Sequence, residues 1–168
     1  KNILQIDYNF LNLPSYIKFN KSVSRKGSIY YVNTGYLYRA DGVKLRKSYN
    51  YFTGRANIGT SSVNEYFDGF QYKNTDSFVQ PDGSYNMALQ FVPTEEGYYD
   101  FIQNKYFYQY KDQVGNIRLS FYKDASGNAV ADRISDFYPF GMDFGGDGMN
   151  ISGSLSPNYL YSFQEQER

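Results

Sequence analysis

The chain contains no cysteine, no histidine and no tryptophan, and only three methionines among its 168 residues. Without cysteine there is no disulfide framework and no thiol chemistry, although compartment stays open because large exported β-proteins often manage without disulfides. Without histidine, a Ser-His-Asp triad, a Cys-His dyad and a His-ligated metal are excluded within this chain. No apolar run is long enough to span a bilayer, so membrane insertion is not expected. Lys1-Asn2-Ile3-Leu4 does not read as a signal peptide, so any export address is expected outside this sequence. Charge of one sign is lacking too. Seventeen basic and seventeen acidic residues cancel, and read along the chain they are scattered with no block of one sign, so nucleic acid is not an expected partner.

What the sequence has in quantity is aromatics, with 20 Tyr and 14 Phe. These residues suit a pleated, half-buried surface, and no stretch shows sustained helical periodicity. The expected fold is all-β, with antiparallel strands connected mostly as hairpins. Tyr and Phe interleaved with Lys and Arg also mimic a stacking platform for single-stranded nucleic acid, but cross-strand aromatic packing explains the same pattern.

The most informative stretch is Tyr106-Phe107-Tyr108-Gln109-Tyr110-Lys111-Asp112-Gln113-Val114-Gly115-Asn116-Ile117-Arg118-Leu119-Ser120-Phe121. An alternating aromatic strand enters an Asp/Gly turn and leaves as a second alternating strand, which is the sequence form of a hairpin. Two other segments align with it, Ile6-Asp7-Tyr8-Asn9-Phe10-Leu11-Asn12-Leu13 and Tyr36-Leu37-Tyr38-Arg39-Ala40-Asp41-Gly42-Val43. Asn12, Gly42 and Gly115 then fall at turns, asparagine being the best substitute for glycine at positive φ. Tyr8, Tyr38 and Tyr110 are expected at equivalent strand positions, with one more residue in the third turn.

Irregular spacing of the units suggests a repeat array with insertions. One core segment over residues 1–168 is expected, with hairpin units at about 3–19, 29–49, 64–92 and 106–140 and a tail at 158–168. A strand is read from Gly27 through Val32, a long polar loop over residues 50–62, and an insertion over residues 73–86 turning at Pro81-Asp82-Gly83. Leu89-Gln90-Phe91-Val92 reads as a strand ending at a turn led by Pro93. Ser126-Gly127-Asn128 reads as a further hairpin turn.

The wording of these segments resembles the RHS repeat-associated core of bacterial YD-repeat proteins, most of all those of Bacteroidota. Tyr108, Tyr110, Lys111, Asp112, Gly115, Asn116, Arg118 and Ser120 match one recurring phrase of that family, and Tyr138-Pro139-Phe140-Gly141-Met142 matches another. Glu65-Tyr66-Phe67-Asp68-Gly69-Phe70-Gln71-Tyr72 and Leu89-Gln90-Phe91-Val92-Pro93-Thr94-Glu95-Glu96-Gly97 resemble two more. The resemblance runs from about Ile3 to Glu167. It implies hairpin repeats forming a twisted or spiralling sheet, part of a YD-repeat shell that encloses or presents a C-terminal effector, often a toxin. The implied partners are neighbouring YD repeats, that effector in the same polypeptide, and export machinery. The implied location is secreted or cell-surface, with no cofactor and no metal. Self-cleaving family cores carry further motifs downstream of the Pro-Phe-Gly phrase, and this chain contains neither, so no catalytic residue carries over.

Two other function classes stay open. Tyrosine-rich sheet faces would suit a module that binds carbohydrate or a surface protein. A carboxylate-only hydrolase would draw its acid and base from Asp41, Asp68, Asp82, Glu95, Glu96, Asp112 and Asp136. Asp41, Asp68, Asp82 and Asp147 each precede glycine, however, where turn formation explains them. Asp143-Phe144-Gly145-Gly146-Asp147-Gly148 has two carboxylates and flexibility but lacks the acidic alternation of a calcium loop. Tyr138-Pro139-Phe140-Gly141 reads as a strand end, with a ligand-stacking clamp as the alternative.

Overall fold

The computed structural model describes residues 2–76 and 79–138. They form eleven strands: β1 Ile3–Tyr8, β2 Pro14–Arg25, β3 Ser28–Tyr38, β4 Lys44–Thr53, β5 Ile58–Phe67, β6 Phe70–Asn74, β7 Met87–Thr94, β8 Gly97–Asp100, β9 Lys105–Lys111, β10 Ile117–Lys123 and β11 Ala129–Ile134. The strands lie in sequence order in one antiparallel sheet that does not close on itself. No helix occurs among the described residues. Contacts divide the chain into two compact units, Lys1–Leu89 and Gln90–Arg168.

In the first unit, alternation on β3 sends Val32 and Thr34 into one buried face, while Asn33 and Gly35 point to the other. Residues aligned across β2 to β5 share a face, because side chains in register on antiparallel strands stand side by side. One such row is Ile17, Thr34, Tyr49 and Ser62, and the next row, on the opposite face, is Lys18, Asn33, Asn50 and Ser61. Beside that polar row Val63 is completely buried. Both faces of this unit therefore carry buried positions.

In the second unit the core is aromatic. Phe91, Tyr98 and Phe107 form a buried cluster with Tyr122 packed against it. Tyr98 stacks on Phe107 with centroids 5.1 Å apart and planes nearly parallel, and Phe91 meets Tyr98 edge-on at 5.8 Å. Such pairs contribute about 0.5–1.5 kcal/mol each beyond the area they bury. The neighbouring side chain points the other way: Phe107 is 1% exposed and Tyr106 is 53% exposed. The period of two in the sequence is thus a period of two in burial.

Three expectations are corrected. Residues 50–62 are not a long loop: β4 and β5 run through them in unbroken register from Arg46↔Glu65 to Thr53↔Ile58, leaving only residues 54–57 as the connection. Their Thr, Ser and Asn side chains are polar but bond across the strands, as Thr53 does with Thr60 and Ser61 with Asn50. Gly27 does not start β3. With Lys26 it makes the two-residue turn after β2, both at positive φ (47° and 79°), as a type I′ turn requires. Pro93 does not lead a turn either, since it lies inside β7 opposite Tyr98 and the connection is Glu95-Glu96.

Gly97 opens β8 against β9 at close range, and a Cβ built there would lie 2.0 Å from the Phe107 carbonyl oxygen. Backbone cannot yield as a flexible side chain can. Gly97→Ala is expected to destabilise the protein by about 2 kcal/mol or more, whereas Gly59→Ala, with nothing within 4 Å of its Cβ, should be neutral or slightly stabilising. Urea unfolding of both variants checks this, and equal midpoints would contradict the close β8–β9 approach.

Candidate functional site

The turn residues that the sequence singles out, Asn12, Asp41, Gly42, Asp112, Gly115 and Asn116, sit in a recurrent five-residue loop. Its first amide donates to the fifth carbonyl and its fourth amide donates back to the first carbonyl. The pairs are Asn9/Leu13 with Asn12/Asn9, Arg39/Val43 with Gly42/Arg39, Gln80/Ser84 with Gly83/Gln80, Asp112/Asn116 with Gly115/Asp112, and Asp124/Asn128 with Gly127/Asp124, all between 2.7 and 3.1 Å. The fourth residue takes positive φ in each, at 58° for Asn12 and 84–89° for the four glycines. This is the three-residue hairpin connection, a turn closed by a left-handed residue. Where the first residue is Asn9, Asp112 or Asp124, its side chain caps the loop: Asn9 Oδ1 accepts from Leu11 and Leu13, Asp112 Oδ1 from Val114 and Asn116, and Asp124 Oδ1 from Ser126 and Asn128. The buried Asn116 also donates its Nδ2 to Asp112 Oδ2 at 2.9 Å.

In the three hairpins first aligned, a β-bulge follows at the same distance from the turn. Register jumps from Tyr8↔Pro14 to Asp7↔Tyr16, from Tyr38↔Lys44 to Leu37↔Arg46, and from Lys111↔Ile117 to Tyr110↔Leu119. Ser15, Leu45 and Arg118 are the extra residues. The third loop is no longer than the others. Lys111, not Tyr110, is the counterpart of Tyr8 and Tyr38, and Tyr110 lies one residue back on the opposite face. Tyr38 reaches across to give its hydroxyl to the Pro14 carbonyl at 3.1 Å, and desolvation holds its phenol above the ordinary pKa. Arg118 pairs with Asp136, and its carbonyl accepts from the Ser135 amide at 2.9 Å. Tyr138 is exposed. Pro139, Phe140, Gly141, the residues 143–148 and the tail at 158–168 lie outside the described residues.

Among the described residues the candidate carboxylates do not gather into a cluster. Asp41 forms a bidentate pair with Arg39 and accepts from the Val43 amide. The Arg39 guanidinium first, and that amide second, bring its pKa down to about 2. The Ser84 hydroxyl and amide lower Asp82. Desolvation pushes Asp112 up, but the Asn116 amide and side chain and the Val114 amide outweigh it, and the net shift is downward. Asp124 is lowered chiefly by the Asn128 amide. Asp68 makes a two-residue turn with Gly69, at φ 46° and 87°. Glu95 and Glu96 form the β7–β8 connection, and the Glu96 carbonyl accepts from Gln109. Among the described residues no three acidic side chains gather where a metal would sit.

Two other surfaces stand out. On the face of the second unit opposite Phe107, Tyr99, Tyr106, Tyr108 and Phe121 form a continuous run of ring contacts with centroids 4.7–6.4 Å apart, and Tyr110, on the same face, is 68% exposed. In the first unit, a groove of about 400 Å³ runs along the row of Lys18, Asn33, Asn50 and Ser61, and a hollow of about 410 Å³ bordered by Arg25 and Lys26 adjoins it at Tyr30, Phe52 and Gly59. Folding also revises the reading of charge. Residues 14–67, which span β2 to β5, hold nine of the seventeen Lys and Arg against two acids, Asp41 and Glu65. Four adjacent strands therefore carry an excess of cations that the neutral total conceals.

No protein-family model, no curated protein and no solved structure matches the chain.

A carboxylate whose pKa is depressed on folding stabilises the folded state above its unfolded pKa of about 4, and that contribution is lost as pH falls through the folded value. For Asp41 the window lies between about pH 4 and about pH 2. Thermal melts followed by circular dichroism should show Tm falling across this range. Asp41→Asn should lower Tm at pH 7 and flatten the acid decline, whereas an unchanged decline would show that the Arg39 pair contributes nothing.

Proposed function

We propose that the chain is a wall or plug segment of a hairpin-repeat shell of the RHS type, which encloses or presents a C-terminal effector of the same polypeptide outside the cell. One observation carries this reading: three hairpins repeat the same loop and the same bulge offset within a sheet whose strands follow sequence order. That construction lets a sheet grow by adding one hairpin to the last, with each new strand covering the previous edge. The open edge supports it further. All six residues of β1 are exposed, including Ile3, Leu4, Ile6 and Tyr8, and an edge so apolar invites another strand.

Hydrogen exchange measured on the isolated chain and on the chain within its full polypeptide tests the proposal. The β1 amides not bonded to β2 should exchange rapidly in the first sample and become protected in the second. Rapid exchange in both would sink the shell reading.

The ring row of the second unit, half-buried at Tyr99, Tyr108 and Phe121 and exposed at Tyr106, favours a second reading, a module whose Tyr106 and Tyr110 stack on sugar faces. If that holds, neutral oligosaccharides should quench tyrosine fluorescence in the wild type and not in a Tyr106→Ala/Tyr110→Ala variant. An absence of quenching at millimolar sugar would count against it.

A further inference from the structure

We infer that the groove on the first unit is a docking site for an extended acidic segment of another polypeptide. The inference does not depend on the shell reading. Three cations line the groove or its adjoining hollow, Lys18 in the first and Arg25 and Lys26 in the second, and two more belong to the same strands and connections, Lys21 on β2 and Arg55 in the β4–β5 connection. That connection lies at the same end of the sheet as the Lys26-Gly27 turn, because both hairpins close there. None of the five has an ion-pair partner among the described residues. The cations outside this group behave differently, as Arg39 binds Asp41 and Arg46 binds Glu65. Like charges gathered without counter-charges destabilise a fold by mutual repulsion, and a bound polyanion relieves that.

The floor of the groove indicates which polyanion. Asn50 Nδ2 donates to Asn33 Oδ1 at 2.8 Å, Ser61 Oγ donates to Asn50 Oδ1 at 2.7 Å, and Asn33 Nδ2 donates to the Tyr31 carbonyl at 3.1 Å. This chain leaves each amide with one N–H and one lone pair still to offer. Spare amide donors and acceptors in a row, one per strand, are complementary to the N–H and C=O groups of an extended peptide. The rim adds apolar surface, with Ile29 60% exposed and Phe52 nearby. A stacking site for nucleobases fits less well, because the Lys18 ammonium sits 4.1 Å over the Tyr31 ring and occupies its face. A second copy of the chain offers no acidic run longer than Glu95-Glu96, and its turn carboxylates Asp41, Asp82, Asp112 and Asp124 are already held by Arg39 or by nearby amide, hydroxyl and carboxamide groups. A register shift beside the groove, where β2 inserts two extra residues between Lys18 and Ser22, bends that strand at the rim.

The test uses the 168-residue chain and a fluorescein-labelled peptide of alternating Glu and Ala, read by fluorescence anisotropy. The peptide should bind, its affinity should fall steeply with added salt, and the matching Gln/Ala peptide should not bind. Arg25→Gln/Lys26→Gln/Arg55→Gln, all at exposed positions, should weaken binding about tenfold while the melting temperature holds or rises as the repulsion is relieved. Asn50→Ala should weaken binding while leaving its salt dependence intact. An oligothymidine or a uronate oligosaccharide that binds as tightly as the peptide would overturn the assignment to a polypeptide. So would concentration-dependent self-association abolished by the triple variant, which would make the occupant a second copy. Absence of binding by the Glu/Ala peptide at low salt, or a triple variant that binds it unchanged, would overturn the site itself.

Discussion

The structure depends on a pair of backbone hydrogen bonds that close a five-residue loop around a left-handed fourth residue. An L-residue pays about 1–2 kcal/mol to enter that region, which is why glycine or asparagine stands there in every instance. Once the loop is closed, the strands on either side have a fixed pairing, and the pairing decides which side chains share a face. In the second unit the Asp112–Asn116 loop sets Phe107 beside Tyr122. In the first the Arg39–Val43 loop sets Asn33 opposite Asn50. The shorter connections at residues 101–104 and 54–57 add Tyr98 to the core of one unit and Ser61 to the groove of the other.

The bulges modify this frame in a specific way. One extra residue at Ser15, Leu45 and Arg118 returns the second strand of each hairpin to the opposite alternation after the first pair. A sequence pattern read straight through the turn therefore assigns the wrong partner from that point on. The third hairpin illustrates this. Tyr110 sits at the aligned position by its letter, whereas the backbone puts Lys111 there, so Tyr110 joins the exposed ring face.

Much of the fold was legible in the sequence because turns are written in side chains. Asp41-Gly42, Pro81-Asp82-Gly83, the Asp112 to Gly115 stretch and Ser126-Gly127 all mark observed turns, and alternating aromatics mark the strands beside them. The bulges were not legible, since an extra residue in a ladder has no required side chain. Residues 50–62 misled for a different reason. Hydroxyl and amide side chains suit a solvated loop and also suit a strand whose face carries a hydrogen-bonded row, and only the neighbouring strands decide between them. The groove and its adjoining hollow were concealed because Lys18, Arg25 and Lys26 meet residues 50–61 of β4 and β5 only when β2 to β5 pair. The acids that cancel them in the total lie elsewhere, several of them engaged as turn caps.

The central claim is that a common loop followed by a common bulge sets the register of the three aligned hairpins. The most direct measurement is of backbone cross-strand NOEs in a uniformly labelled sample. The account predicts contacts for Asp7 with Tyr16, Leu37 with Arg46 and Tyr110 with Leu119. Beyond the bulges, contacts for Ile6 with Tyr16, Tyr36 with Arg46 and Gln109 with Leu119 in place of Ile6 with Ile17, Tyr36 with Lys47 and Gln109 with Ser120 would mean straight ladders without bulges, and would contradict both the shared architecture of the hairpins and the faces assigned to their side chains.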